Sequence, residues 1–215
     1  MSSPAVSKEQ KKDKKFLLIV VAASCLVAAM FGSRNSLSLT IEGIDQSQTL
    51  NYLQISFAFA LGQLVVGAIS PFAGMIADKY GSGKTLTVGI LLGLLGIILI
   101  PYSTTAFTLS ISLGVISSIG LGVAGLPVVL ASVNRLIPQN KVGMAFGLVN
   151  AGQSLGQLIL APLAGFIIVN FGWILCILFL CTVLLLVLPF SFTLRSRTDM
   201  KQPSGVQTKS LSETL

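Results

Sequence analysis

The sequence predicts an all-α membrane protein whose chain crosses the bilayer six times. Of its 215 residues, 53% are hydrophobic and only 10% are charged, and the mean hydropathy is +0.88. A soluble domain carries about 25% charged residues, so this composition is that of a membrane protein. The charges also fall in short clusters, which leave residues 46–77, 85–134 and 142–194 uncharged.

The lengths of these runs predict the number of helices. A spanning helix needs about 20 apolar residues, so the two longest runs each hold two helices and a turn. Turn residues are found at Pro101-Tyr-Ser-Thr-Thr and at Asn170-Phe-Gly-Trp173. The predicted spans are 16–40, 50–77, 83–101, 105–134, 142–169 and 172–194. They form a bundle over 16–194, between a basic N-terminus over 1–15 and a polar tail over 195–215 that we expect to be disordered.

The positions of the cations predict the orientation of the chain. Of the 14 Lys and Arg residues, 13 lie in the two ends of the chain or in the loops at 78–84 and 135–141. The exception is Arg34. Six spans place these segments on one side of the bilayer, and the positive-inside rule makes that side cytoplasmic. We therefore expect a protein of the cell membrane, for instance a bacterial inner membrane, with both termini in the cytoplasm. The net charge of +7 reflects this topology and does not indicate nucleic-acid binding.

The N-terminus has a second interpretation. The lysines from Lys8 to Lys15, followed by an apolar stretch ending near Cys25, also resemble a secretory or lipoprotein signal. However, the apolar stretch continues well past Cys25 and five more spans follow, which favours a first transmembrane helix.

The composition argues against an enzyme, a metal site and a bound cofactor. There is no histidine, and the cysteines at 25, 176 and 181 lack ligand spacing. No nucleophile–base pair is evident. The run Gly83-Lys84-Thr85 resembles the end of a phosphate-binding loop, but Asp78 occupies the position of that loop's first glycine. An acid at that position repels phosphate, so no nucleotide site is predicted.

One cation lies inside a predicted span. Arg34 falls in the outer half of the first span, where a charge is costly and rarely faces lipid. Its planar guanidinium matches a carboxylate, which predicts a small organic anion as the substrate. The alternative is that Arg34 reaches the outer interface or pairs with Glu42 or Asp45.

Amides and hydroxyls on two spans are further substrate-binding candidates. Asn150, Ser154 and Gln157 share one face of the fifth span, and Gln63 lies on the second. Because unpaired amides are costly in hydrocarbon, these side chains face either a polar pathway or one another. Apart from Asp78 at a cytoplasmic margin, no acid lies in a span.

Small residues recur at four-residue spacing and predict close contacts between helix backbones. The repeats are Gly89 with Gly93, Gly152 with Gly156, and Gly114 with Ser118 and Gly122.

The loop after the second span resembles the signature loop of the major facilitator superfamily, G-x-x-x-D-[RK]-x-G-[RK]-[RK]-[RK]. The matching residues are Gly74, Asp78, Lys79, Gly81 and Lys84, whereas Ser82 and Gly83 depart from the basic run. The resemblance implies a loop that governs conformational change, in which Asp78 interacts with the positive N-terminal end of a neighbouring helix. A generic charged membrane loop is the alternative.

Further motifs are similar to the monocarboxylate-transporter-like branch of that superfamily. They are the small-residue stretch Gly120–Pro127, the turn Asn134-Arg135-Leu-Ile-Pro138 with Arg135 in the cytoplasmic loop, and the glycine-rich stretch Gly143–Gly152. The resemblance covers residues 16 to about 195. It implies one major-facilitator-type bundle that transports a small solute by alternating access.

Transporters of this superfamily have two six-helix halves, and this sequence holds one. Three expectations follow. The chain pairs with a second half on another polypeptide, it pairs with a second copy of itself, or it is a truncated protein without transport activity that serves at most as a partner of another transporter.

Overall fold

A computed structural model describes residues 4–47 and 50–194 of the chain. These residues form long helices joined by short turns, and no β-strand occurs among them. The tail at 195–215 that we expect to be disordered lies outside the described residues.

Six of the described helices are long and apolar enough to cross a membrane, which confirms the predicted number of spans. They are α1 (Pro4–Leu37), α2 (Tyr52–Tyr80), α3 (Ser82–Ile98), α4 (Ala106–Leu136), α5 (Val142–Phe171) and α6 (Trp173–Val187). The spans of α3 and α6 continue through short helical segments to Tyr102 and Thr193. Short helices at Ile41–Ser47 and Phe190–Thr193 follow α1 and α6.

The first helix begins much earlier than its apolar stretch. It starts at Pro4, whereas the predicted span starts at residue 16. The intervening segment is rich in Lys, Glu and Gln, which have high helix propensity, and proline suits a first helical turn. Hydropathy marks only the part of a helix that suits lipid, so it missed this polar extension.

Helix α4 is not a continuous α-helix. Its residues Ser110–Ser117 form a π-helix, Ser118–Val123 return to α geometry, and a new α segment runs over Leu126–Leu136. Ser118 donates a hydrogen bond from its hydroxyl to the Leu113 carbonyl oxygen at 3.1 Å. Pro127 lies in the first turn of the last segment, where its missing N–H costs nothing.

Two connections are single glycines. Gly81 lies between α2 and α3 and Gly172 between α5 and α6, with φ angles of 90° and 86°. Glycine reaches positive φ without the steric cost that a Cβ imposes, so each pair of helices reverses over one residue. The second reversal lies within the turn predicted at Asn170–Trp173.

Helices α1 and α5 pack with their backbones in close contact. A Cβ added to Gly152 would lie 2.7 Å from the Cβ of Ser24, and one added to Gly156 would overlap the Ala28 backbone. A Cβ on Gly32 would lie 2.5 Å from Cδ1 of Leu160. The four-residue repeat on α5 is therefore a packing face, as predicted.

The repeats on α3 and α4 have the same role. A Cβ on Gly89 would lie 2.7 Å from the carbonyl oxygen of Gly120, which joins α3 to α4. On its other side, α4 meets α2, because a Cβ on Gly114 would lie 3.0 Å from the Ala58 carbonyl oxygen. Helix α4 is thus held between α2 and α3.

Helices α2 and α5 are the least covered spans. Only 17% of the most apolar 18-residue stretch of each is buried within the bundle, against 50% in α3 and 61% in α4. Several of their glycines would meet no atom within 4 Å if a Cβ were added. These open glycines are Gly67 and Gly74 on α2 and Gly143, Gly147 and Gly165 on α5.

The close α1–α5 contact predicts the effect of adding one methyl group. Gly156→Ala should lower the free energy of unfolding by about 1–3 kcal/mol, because the added Cβ forces the Ala28 backbone away. Thermal unfolding in detergent micelles, followed by the fluorescence of Trp173, measures the change.

Gly147→Ala is the matched control on the same helix. Its Cβ would meet no atom, so the gain in helix propensity should raise stability by about 0.5–1 kcal/mol. Equal effects of the two substitutions would contradict the packing described for Gly156.

Candidate functional site

Arg34 donates a hydrogen bond to a residue of another helix. It lies in the last turn of α1, is half-buried, and its Nη2 lies 2.5 Å from Oε1 of Gln63 on α2. The partner is thus an exposed amide on a different span. Neither Glu42 nor Asp45, the partners that the sequence alternative named for Arg34, is the acceptor of this hydrogen bond.

Two cavities meet at this hydrogen bond. The larger has a volume of about 430 Å³ and lies toward the end of α1 that carries Ser38 and Ile41. The smaller has a volume of about 290 Å³ and lies toward Ser70 on α2 and Pro127 on α4. Both cavities are lined by Arg34, Asn35, Gln63 and Leu121.

Helix α5 contributes amides to the smaller cavity. Gln153 and Gln157 line it opposite Arg34 and Gln63. Ser70 also lines it, although its hydroxyl donates to the Val66 carbonyl oxygen at 2.7 Å. The structure therefore brings three of the predicted binding residues, Arg34, Gln63 and Gln157, to one cavity.

The other two predicted residues of α5 lie elsewhere. Asn150 and Ser154 are exposed, and neither lines the two cavities. The Asn150 amide donates to the Phe146 carbonyl oxygen at 2.9 Å, which satisfies it within its own helix. Asn150, Ser154 and Gln157 share one face of α5, but that face extends beyond the cavity, so of these three residues only Gln157 lines it.

Sequence reasoning missed Asn35 and Gln153, which line the cavities. Gln153 lies four residues before Gln157, a spacing that places both on one helical face and would have identified it. Asn35 follows Arg34 directly, and no helical spacing in the sequence marked it as a member of the site.

An ion pair joins the last turn of α2 to the last turn of α4. Asp78 accepts a hydrogen bond from Nη2 of Arg135, in the last turn of α4, and the two side chains are 61% and 40% exposed. The expected partner of Asp78 was a helix N-terminus, whereas the contact found is with a cation at a helix C-terminus. The pair links residues 78 and 135, which the sequence analysis assigned to two separate loops.

The remaining residues of the signature stretch lie in α2 and α3 and in the glycine that joins them. The Lys79 ammonium lies 5.3 Å from the centroid of the Tyr80 ring, and Lys84 is exposed. Gly74 faces open space and Gly81 makes the reversal between helices.

The two departures from the signature loop have a structural reason. Ser82 is 0% exposed and Gly83 is also buried, both in the first turn of α3. A basic side chain at either position would be buried without solvent, which is costly.

Comparisons with known proteins agree with the fold. A family model described as Major Facilitator Superfamily matches residues 20–214. The riboflavin transporter RibZ of Clostridioides difficile (strain 630) is 28% identical over 75% of this chain and 35% of its own length. Monocarboxylate transporter 11 of Mus musculus is 25% identical over 83% of this chain and 39% of its own length. The chain therefore spans well under half the length of these relatives.

A solved structure shows the same fold. The xylose transporter XylE from E. coli, in an inward-open conformation, superposes with a TM-score of 0.70 at 15% sequence identity. The match covers 83% of this chain and 48% of that one. At this identity, the likeness extends to the fold alone.

The exposure of the Asp78–Arg135 pair predicts a small energetic coupling. A double-mutant cycle of Asp78→Asn and Arg135→Gln should give about 0.2–1 kcal/mol in the free energy of unfolding, and less at high salt. A second cycle, with Lys84→Gln in place of Arg135→Gln, provides the control, and its effects should be additive. A coupling above about 2 kcal/mol in the first cycle would show that the pair is shielded from solvent, contrary to its exposure.

Proposed function

The chain belongs to the Major Facilitator Superfamily, and from this premise we propose that it forms half of an alternating-access carrier for a small organic anion such as a carboxylate. The superfamily consists of transporters and not enzymes, and the six apolar helices make this a multi-pass membrane protein.

The observation that carries the proposal is the guanidinium of Arg34 on a polar cavity within the bundle. A charge in a spanning segment is costly, and such residues mark substrate pathways. Among the described residues that line the two cavities, Arg34 is charged and none is acidic. The cavity therefore has a net positive charge, which an anionic solute neutralises.

The geometry of the other lining groups suits a small carboxylate. A guanidinium offers two parallel N–H donors to the two oxygens of a carboxylate. Amides of Asn35 and Gln157 can bond the remaining polar atoms of the solute. The two volumes, about 430 and 290 Å³, are those of sites for small molecules.

The relatives are consistent with this class of solute without defining it. Monocarboxylate transporter 11 is named for carboxylates and RibZ for riboflavin. We propose the carboxylate class because of Arg34, and riboflavin is the appropriate competitor in the assays below.

We further propose that a second six-helix bundle completes the carrier. The bundle leaves one wall of the cavities and the glycines of α2 and α5 open, and solute in this superfamily is held between two halves. The second bundle is either a separate half or a second copy of this chain, which inserts in the same orientation.

The proposed orientation places both termini and the 78–84 and 135–141 loops in the cytoplasm. The supporting fact is that these segments hold 13 of the 14 cations, all but Arg34. In this orientation the Asp78–Arg135 pair lies at the cytoplasmic surface of the cell membrane.

Arg34→Gln should abolish binding and uptake of carboxylates, since it removes the positive charge of the cavity and keeps a similar side-chain size. Arg34→Lys should retain weakened binding, because lysine preserves the charge without the bidentate geometry. Equilibrium binding of radiolabelled pyruvate, lactate and benzoate to the chain in lipid nanodiscs, and uptake into proteoliposomes, measure these effects.

Thr182→Val is the matched control for that test. Thr182 is a polar residue of α6 that is exposed and bonds the Leu178 carbonyl oxygen, away from both cavities. It should leave anion binding unchanged. Anion binding by Arg34→Gln at the wild-type level would eliminate the proposed role of Arg34. If the wild-type chain binds riboflavin and no carboxylate, the proposed solute class is wrong, and binding of neither favours the transport-inactive alternative.

Cysteine crosslinking tests the second bundle. In a variant without native cysteines, Gly147→Cys on the open face of α5 should give a crosslinked product in membranes, whose mass distinguishes a second copy from a separate half. Leu186→Cys on α6, where the side chain is 69% exposed, should give none. Recovery of monomers alone from Gly147→Cys would contradict a paired bundle.

A further inference from the structure

We infer that Gln63 holds the Arg34 guanidinium when the carrier is empty, and that an anionic solute binds by displacing the Gln63 amide oxygen. The inference deepens the proposed function and rests on it. It assigns Gln63 the role of a neutral competitor for the substrate and not that of a substrate ligand.

The first support is the position of the hydrogen bond. The donor and acceptor atoms are 2.5 Å apart, and both residues line both cavities. The pair therefore stands where the larger and smaller cavities meet. A solute that moves between them meets this hydrogen bond first.

The second support is the packing of the two helices involved. Helix α1 packs mainly on α5, and α2 packs mainly on α4, whereas α1 and α2 have no extended contact. The cavities separate them at this level. The Arg34–Gln63 hydrogen bond thus crosses a gap between α1 and α2 and is not part of a packed helix–helix interface. It can therefore break without disrupting contacts between buried side chains.

The third support is the chemistry of the acceptor. A partly buried guanidinium needs an acceptor, because an unsatisfied charged donor loses its solvation without compensation. An amide oxygen supplies one, but it is a weaker partner than a carboxylate, which adds charge and a second oxygen. A neutral residue at position 63 therefore satisfies Arg34 in the empty site and still yields to a solute anion.

A carboxylate at position 63 would behave differently from the amide of Gln63. The substitution Gln63→Glu would replace the neutral hydrogen bond with an ion pair to Arg34, and an incoming anion would compete with an equal charge already in place. Because no titratable side chain other than Arg34 lines either cavity among the described residues, protonation of the introduced carboxylate would be the event that releases the guanidinium.

The first test measures Arg34 without any solute. Phenylglyoxal modification of the full chain in nanodiscs is followed by mass spectrometry of the peptide that contains Arg34, with Arg135 as the internal reference. Gln63→Leu should accelerate modification of Arg34 about tenfold, which corresponds to loss of a hydrogen bond to a charged group. Pyruvate should slow modification of the wild-type protein.

The second test measures pyruvate binding as a function of pH. Gln63→Glu should bind at least about tenfold more weakly than wild type at about pH 7.5, and its affinity should recover as the pH falls. Gln63→Leu should bind pyruvate as tightly as wild type or more tightly. Gln153→Glu is the control, since it adds the same charge to the smaller cavity without the bond to Arg34, and it should weaken binding less.

The outcomes separate this inference from the proposed function. Weakened binding in Gln63→Leu, or equal pH profiles in Gln63→Glu and Gln153→Glu, would overturn the competitor role while anion carriage stands. If no anion binds the wild-type chain or protects its Arg34, the proposed function fails and the displacement step fails with it.

Discussion

The constraint on which this structure depends is that a bilayer core holds no water to solvate a charge or a backbone group. Every described span obeys it by being helical, and the cations other than Arg34 lie at the ends of the spans or beyond them in the sequence. Arg34 receives its acceptor from another helix, through Gln63. That single requirement joins α1 to α2 across the cavities.

The same absence of solvent explains how the helices are held together. Lipid provides no hydrophobic contrast between helices, so association depends on close contact and dispersion. Glycines on α5 and α3 allow that contact with α1 and α4. With these contacts formed, α2 and α5 remain the least covered spans, and the cavities lie between α1, α2 and α4. The close helix contacts thus fix which side of the bundle is left uncovered.

Much of this architecture could be predicted from the sequence, because charge and hydropathy act locally along the chain. Six spans, the reversal near Asn170 and the packing role of Gly152 and Gly156 follow from composition and spacing. The partner of Arg34 could not be predicted. Helical periodicity indicates on which face of α2 Gln63 lies. It does not indicate which helices are neighbours, or at which level along the bundle their side chains come into contact. For the same reason, Asn150 shared a face with Gln157 and yet lies outside the cavities.

The π-helical stretch of α4 has a consequence for the order of small residues along that helix. Because a π-helical turn holds more residues than an α-helical turn, the residues after Ser117 are rotated about the helix axis relative to an unbroken α-helix. Gly114 and Gly122 nevertheless both meet α2, while Gly120 meets α3. The angular position of this segment therefore sets the contact of Gly120 with α3 and that of Gly122 with α2 at once, and a single-residue deletion within it would turn both glycines away from their neighbours together.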